Sequence, residues 1–252
     1  MRPSEPLRPP VSRCGMAGTG AAGTGAAGTG AAGLAGGGLA GAAAAPARDM
    51  PDPQPASPDA ALRLLMQGNE RWVRGRARHP HQSAGRWHQV AGHQEPVATV
   101  VSCIDSRVPP ELVFDRGLGD LLVIRTGAQT LDELVVLGSV EFGPSSYPSA
   151  RLIFVLGHDR CGAVTAAISA IQSGRPAPGH IQDVVNALRP AYDVAIRQPG
   201  DDLVDTMVRA QTTLTVQRLR SDALLRELIA ADGLMIVGGH YDLDTGAVQI
   251  VA

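Results

Sequence analysis

A chain of 252 residues with 44% hydrophobic side chains has the apolar content for one full core, and its formal net charge of -2 points to no charged partner. Aromatics at 3% offer no stacking platform for bases or sugars, and no basic face calls for nucleic acid. No run of about 18 strongly apolar residues reads as a spanning helix, so no membrane span is expected.

Residues 1–58 read as a low-complexity Gly/Ala/Pro-rich leader or disordered tail, and residues 59–252 as one globular domain. From Ala17 the pentad AGTGA repeats three times, with too little side-chain volume to offset its ordering entropy. Gly18, Gly20 and Gly23 match a dinucleotide fingerprint, but no strand precedes them. Arg2, Arg8 and Arg13 ahead of a weakly apolar stretch, with Ala45-Pro46-Ala47 as a small-residue cleavage site, suggest an export leader. VSRCGMA resembles a twin-arginine signal with Cys14 replacing the second arginine, so two locations are expected: cytoplasmic, or exported through a degenerate leader.

A helix is predicted from Pro58 to about Gly75, capped by Ser57 or Asp59, with Ala61, Leu64, Leu65, Trp72 and Val73 on its apolar face. Residues 76–93 are polar, and His79, His81, His88 and His93 are expected in a solvated loop. Pro96 to Ser102 reads as a strand, followed by a turn at Pro109-Pro110, a short helix at ELVFDRG and a second strand at Leu121 to Arg125. A helix over Leu131 to Phe142, a third strand over Arg151 to Leu156 and a helix from Cys161 to Gly174 continue the alternation. A helical piece from about Ile181, a long helix from Leu203 to Ala231 interrupted at most once, and a strand, turn and antiparallel strand complete the chain. The expected fold is α/β, a central sheet of four parallel strands plus an antiparallel fifth edge strand, flanked by helices.

Two strands end in metal-binding side chains, VATVVSCIDSR at Val97 to Arg107 and LGHDRCG at Leu156 to Gly162. Together they offer Cys103, His158 and Cys161, a soft S/N set that suits zinc. A Cys103–Cys161 disulfide would need neither the polar neighbours nor His158. Structural zinc normally has four Cys or His ligands, and no fourth cysteine is available in the folded part, so the site is either open or filled by Asp105. If the segment stays extended, Cys103, Asp105 and Arg107 share one side, and an arginine pair holds the carboxylate off the metal and towards its water. Two thiolates neutralise Zn²⁺, so an acidic water there needs this dyad and a dry pocket, giving a zinc-bound hydroxide suited to a small apolar electrophile. His240, near the end of the fourth strand, reads as a loop histidine rather than a ligand.

The motif C-x-D-S-R at Cys103 to Arg107, followed by H-x-x-C within GHDRCGA, resembles the β-class carbonic anhydrases. Supporting matches run from Gly68-Asn69-Glu70-Arg71 to the final strand, over roughly residues 59–251. The resemblance implies reversible hydration of carbon dioxide to bicarbonate, one Zn²⁺ per chain on Cys103, His158 and Cys161, Asp105 with Arg107 as catalytic dyad, and a homodimer or homotetramer. It also implies Gln94 as a substrate contact reaching across the dimer interface and Leu122 as an apolar pocket residue. Arg125-Thr126-Gly127-Ala128 inverts the family's usual Ala-Gly order, leaving Gly127 as a small wall beside the zinc. Asp115 and Arg125 match as supporting residues. Some members of the family close at low pH through an aspartate–zinc bond, and an open site is expected here. Alternatives are hydrolysis of carbon disulfide or carbonyl sulfide on the same zinc, or a non-catalytic structural zinc module.

Overall fold

The computed structural model describes residues 54–131 and 134–252; the glycine repeats, the candidate cleavage site and the twin-arginine-like stretch read in the sequence lie outside the described residues. Helix α1 (Pro58–Val73) starts where Ser57 accepts from the Ala60 amide, with Pro58 in its first turn. It buries Ala61 and Leu65, and packs Leu64 and Trp72 against the same cluster, whereas Val73 is exposed. The expected loop at 76–93 instead contains a seven-residue helix, α2 (Ala84–Val90), capped by Ser83. It buries no residue, so no apolar stripe announces it. His81 is buried rather than solvated, its Nδ1 2.7 Å from Asp120 Oδ1.

The five strands are β1 (Ala98–Cys103), β2 (Leu121–Thr126), β3 (Leu152–His158), β4 (Met235–Tyr241) and β5 (Val248–Ile250). Their order is β2-β1-β3-β4-β5, with parallel pairing throughout except at the antiparallel β5 edge. Short α3 (Pro110–Val113) joins β1 to β2, and α4 (Leu134–Ser146) joins β2 to β3. The predicted helix there stops at Phe142, but the real one continues through Pro144. Helices α5 (Gly162–Ser173), α6 (Ile181–Ala195), α7 (Leu203–Ser221) and α8 (Ala223–Ala230) follow, the last two separated at Asp222, which caps α8.

Strand alternation divides the core. Val100, Leu152, Phe154 and Leu156 face α1, while Val101, Ile153 and Val155 face Val216 and Leu219 of α7. The chain leaves β1 for β2 on one side and returns to β3 on the other. The carboxyl ends of β1 and β3 therefore flank a topological switch point, where open α/β sheets gather their ligand sites.

Candidate metal centre

Cys103 is the last residue of β1, His158 the last of β3, and Cys161 caps the start of α5. All three are buried, and their ligand atoms lie within 4.8 Å of one another. The sulfurs are 3.8 Å apart, far beyond a disulfide bond, and both cysteines are free. Tetrahedral zinc with Zn–S near 2.3 Å places two sulfurs about 3.8 Å apart, so the spacing fits. His158 Nδ1 donates to the Asp159 carbonyl at 2.8 Å, which leaves Nε2 as the lone pair. That buried Nε2 has no hydrogen-bond partner, as a metal ligand without its metal should not. The chain's own residues thus fit a zinc ion.

Donation from the Cys161 thiol, opposed by burial, holds Cys103 down at about 4, and the same contact pushes Cys161 up. The Ala128 amide adds a contact to Cys103 Sγ at 3.4 Å. Ala128 reaches it from a left-handed conformation (φ 50), while a Cβ on Gly127 would stand 3.1 Å from Val184. The inverted Gly-Ala order thus places the small residue against α6 and leaves alanine in the conformation glycine favours.

Asp105 and Arg107 meet, but not on an extended strand. β1 ends at Cys103, and the Val108 amide donates to the Asp105 carbonyl, closing a turn. Within it Asp105 Oδ1 accepts from the Arg107 amide at 3.0 Å and from Nε at 2.9 Å, and Oδ2 accepts from Nη2 at 2.7 Å. The pair is therefore made by an aspartate turn rather than by period-two alternation. This bidentate contact holds the Asp105 carboxyl down at about 2. Oδ2 stands 4.0 Å from His158 Nε2. Arg125 fastens the bend from below, its Nε donating to the Cys103 carbonyl at 2.8 Å.

Gln94 and Leu122 lie apart from this cluster. Gln94 precedes β1, whose six residues alone span about 17 Å, and its Nε2 donates to Tyr147 Oη at 2.8 Å. Leu122 is four residues, about 13 Å, before the end of β2, and lies against Gly143 of α4. The two are thus associated with one end of α4. Asp115 is a structural ion partner of Arg71, with Nε 2.6 Å from Oδ2.

His240 is a buried residue inside β4, not a loop histidine, and it is not among the three candidate ligands. Its surroundings, Asp159, Asp205 and Arg209, went unread in the sequence because β4 reaches α7 only through the fold. The available signal was a lone polar side chain in an apolar strand.

The carbonic anhydrase family model matches residues 98–248. Carbonic anhydrase 2 of Mycobacterium tuberculosis is 42% identical over 192 residues, covering 75% of this chain and 91% of that protein. The carbonic anhydrase of Mycolicibacterium smegmatis is 39% identical over 197 residues, covering 77% and 94%. Among solved structures, a tetrameric β-carbonic anhydrase of Sordaria macrospora has a TM-score of 0.61 at 20% identity, covering 76% of this chain and 96% of its own. The Coccomyxa β-carbonic anhydrase has a TM-score of 0.60 at 24% identity, covering 75% and 86%. With the fold, the buried Cys/His/Cys cluster and these relatives in agreement, the chain is an enzyme of the carbonic anhydrase family, in its β class.

Proposed function

We propose that the crevice between the ends of β1 and β3 hydrates carbon dioxide reversibly to bicarbonate and a proton, with Cys103, His158 and Cys161 as zinc ligands and Asp105 with Arg107 as the catalytic dyad. The observation that carries this reading is the bidentate Asp105–Arg107 clamp beside a three-ligand cluster. Zinc, when bound, supplies the Lewis acidity that lets water attack near neutral pH. The chain's own residues then direct that water. Asp105, kept ionised by Arg107, only accepts hydrogen bonds, so it takes the water's proton side and leaves a lone pair free for the substrate carbon. Arg107 keeps the same carboxylate from turning in to become a fourth ligand. Gly127 stands as the small wall beside the ligand cluster.

Gln94 and Leu122 serve the reaction from a second copy of the chain. Gln94, before the start of β1, and Leu122, near the start of β2, are too far from the metal end of the sheet to line their own crevice. Helix α4 exposes Phe142 (59%) near them and Leu134 (82%) and Val135 (80%) at its other end, an apolar surface suited to a self-interface. Phe142 meets the Tyr147 ring edge-on at 6.1 Å, and Tyr147 holds Gln94, so covering this face brings Gln94 to the interface.

Stopped-flow hydration of carbon dioxide with zinc-quantified protein tests the dyad. Asp105→Ala should lower turnover by about 100-fold or more while retaining one zinc per chain. Undiminished turnover in that variant would remove Asp105 from the chemistry.

A further inference from the structure

Behind the metal-ligand loop the buried His240 sits in a ring of half-buried charged side chains that the reaction does not use directly. His240 stands opposite Gly157 in the β3–β4 register, one residue short of His158. Its Nδ1 is 3.1 Å from Arg209 Nη2. A guanidinium only donates, so Nδ1 accepts and the neutral ring carries its proton on Nε2. Nε2 is aimed between Asp159 Oδ1 at 3.2 Å and Asp205 Oδ1 at 3.1 Å, in hydrogen-bond alignment with neither. Arg209 Nε closes the ring by donating to Asp205 Oδ2 at 2.8 Å. Although Asp159, Asp205 and His240 are grouped closely enough to hold a cation, a metal on Nε2 would move the proton to Nδ1. There it would oppose the Arg209 donor, so the geometry favours an electrostatic contact of the ring N–H with the two carboxylates over a second metal site.

The ring meets the metal-ligand loop at Asp159, whose Oδ1 lies 3.2 Å from His240 Nε2. This residue's carbonyl is the acceptor for His158 Nδ1, its amide donates to the Tyr241 carbonyl at 3.0 Å, and its Oδ2 accepts from the Leu243 amide at 3.1 Å. The next residue, Arg160, has a left-handed backbone (φ 48) that its own sequence does not favour, so the loop needs anchoring from outside. We infer that His240, clamped by Asp205 and Arg209 of α7, is a positioning residue that fixes the Asp159 peptide and through it the tautomer and aim of the zinc-binding His158. The inference rests on the reading of Cys103, His158 and Cys161 as zinc ligands.

The test is chelator-competition measurement of zinc affinity, with the visible spectrum of the cobalt-substituted protein, in wild type, His240→Leu and Asp205→Asn. Asp205 lies at the more open corner of the ring, so Asp205→Asn keeps the test usable if His240→Leu does not fold. Both variants should bind zinc about 10- to 100-fold more weakly and shift the cobalt bands. Val216→Ala, a core truncation on α7, should lower the melting temperature without moving those bands. Unchanged affinity and spectrum in folded His240→Leu or Asp205→Asn would overturn the inference while leaving the zinc site standing. Wild type that takes up no zinc would overturn both. Two zinc ions per chain, the second lost in His240→Leu, would show a metal site instead and overturn the positioning role.

Discussion

Asp115 stands at a left-handed backbone position (φ 48) with its carboxylate buried against Arg71 and the amides of Arg78 and His79. Burial alone would push its carboxyl up, but these donors outweigh it and leave it below the ordinary carboxylate range. A depressed folded pKa stabilises above the unfolded value and loses that contribution as pH falls through the folded one. Asp115→Asn should therefore destabilise by about 2 kcal/mol near neutral pH, and by less as the pH falls below about 4, in urea unfolding at both ends of that range. The clustering of Cys103, His158 and Cys161 was legible in sequence because their residue types share one chemistry and each lies at or just after the end of an apolar strand. The turn that joins Asp105 to Arg107 was not, since the same residues on an extended strand would also share a side. His81 and His240 were misread for a common reason: their partners, Asp120 on one hand and Asp159 and Asp205 on the other, are brought to them by the fold.

Helix α1 comes closest to the domain backbone at Gly68. A Cβ on Gly68 would lie 1.8 Å from the Phe114 carbonyl oxygen, which is backbone and has little freedom to move. Beside it Asn69 donates to the Val113 and Gly246 carbonyls and accepts from the Val248 amide, tying the helix to α3 and to the β4–β5 hairpin. Gly68→Ala gains roughly 1 kcal/mol of helix propensity but forces the backbones apart, so a net loss of about 2 kcal/mol is expected in urea unfolding. The strands and the long helices announced themselves through apolar runs of the right length and period. α2 did not, because it buries nothing, and α4 outran its predicted end because Pro144 interrupts the pattern without ending the helix.

For the whole molecule, the exposed α4 face and the distance of Gln94 from its own metal site give one expectation. Phe142→Arg should reduce the assembly, read by light scattering on a sizing column, and turnover should fall with it by about 10-fold or more as the crevice loses the residues of the second copy. Retained activity in a monomer would place Gln94 and Leu122 outside the reaction. The α/β fold was foreseeable from the alternation of strands and helices; the apolar face of α4 was not, since a helix that is apolar nearly all round reads in sequence as a buried one. The placement of the candidate ligands on two different strand ends also bears on how the chain is made. Cys103 and Cys161 are separated by 58 residues, so at ribosomal speeds of about 5–20 residues per second the first thiol emerges roughly 3–12 s before the second. Until β3 pairs with β1, Cys103 lacks the neighbours that bury it in the fold, so refolding under oxidising conditions should give less zinc-competent protein than refolding with reductant.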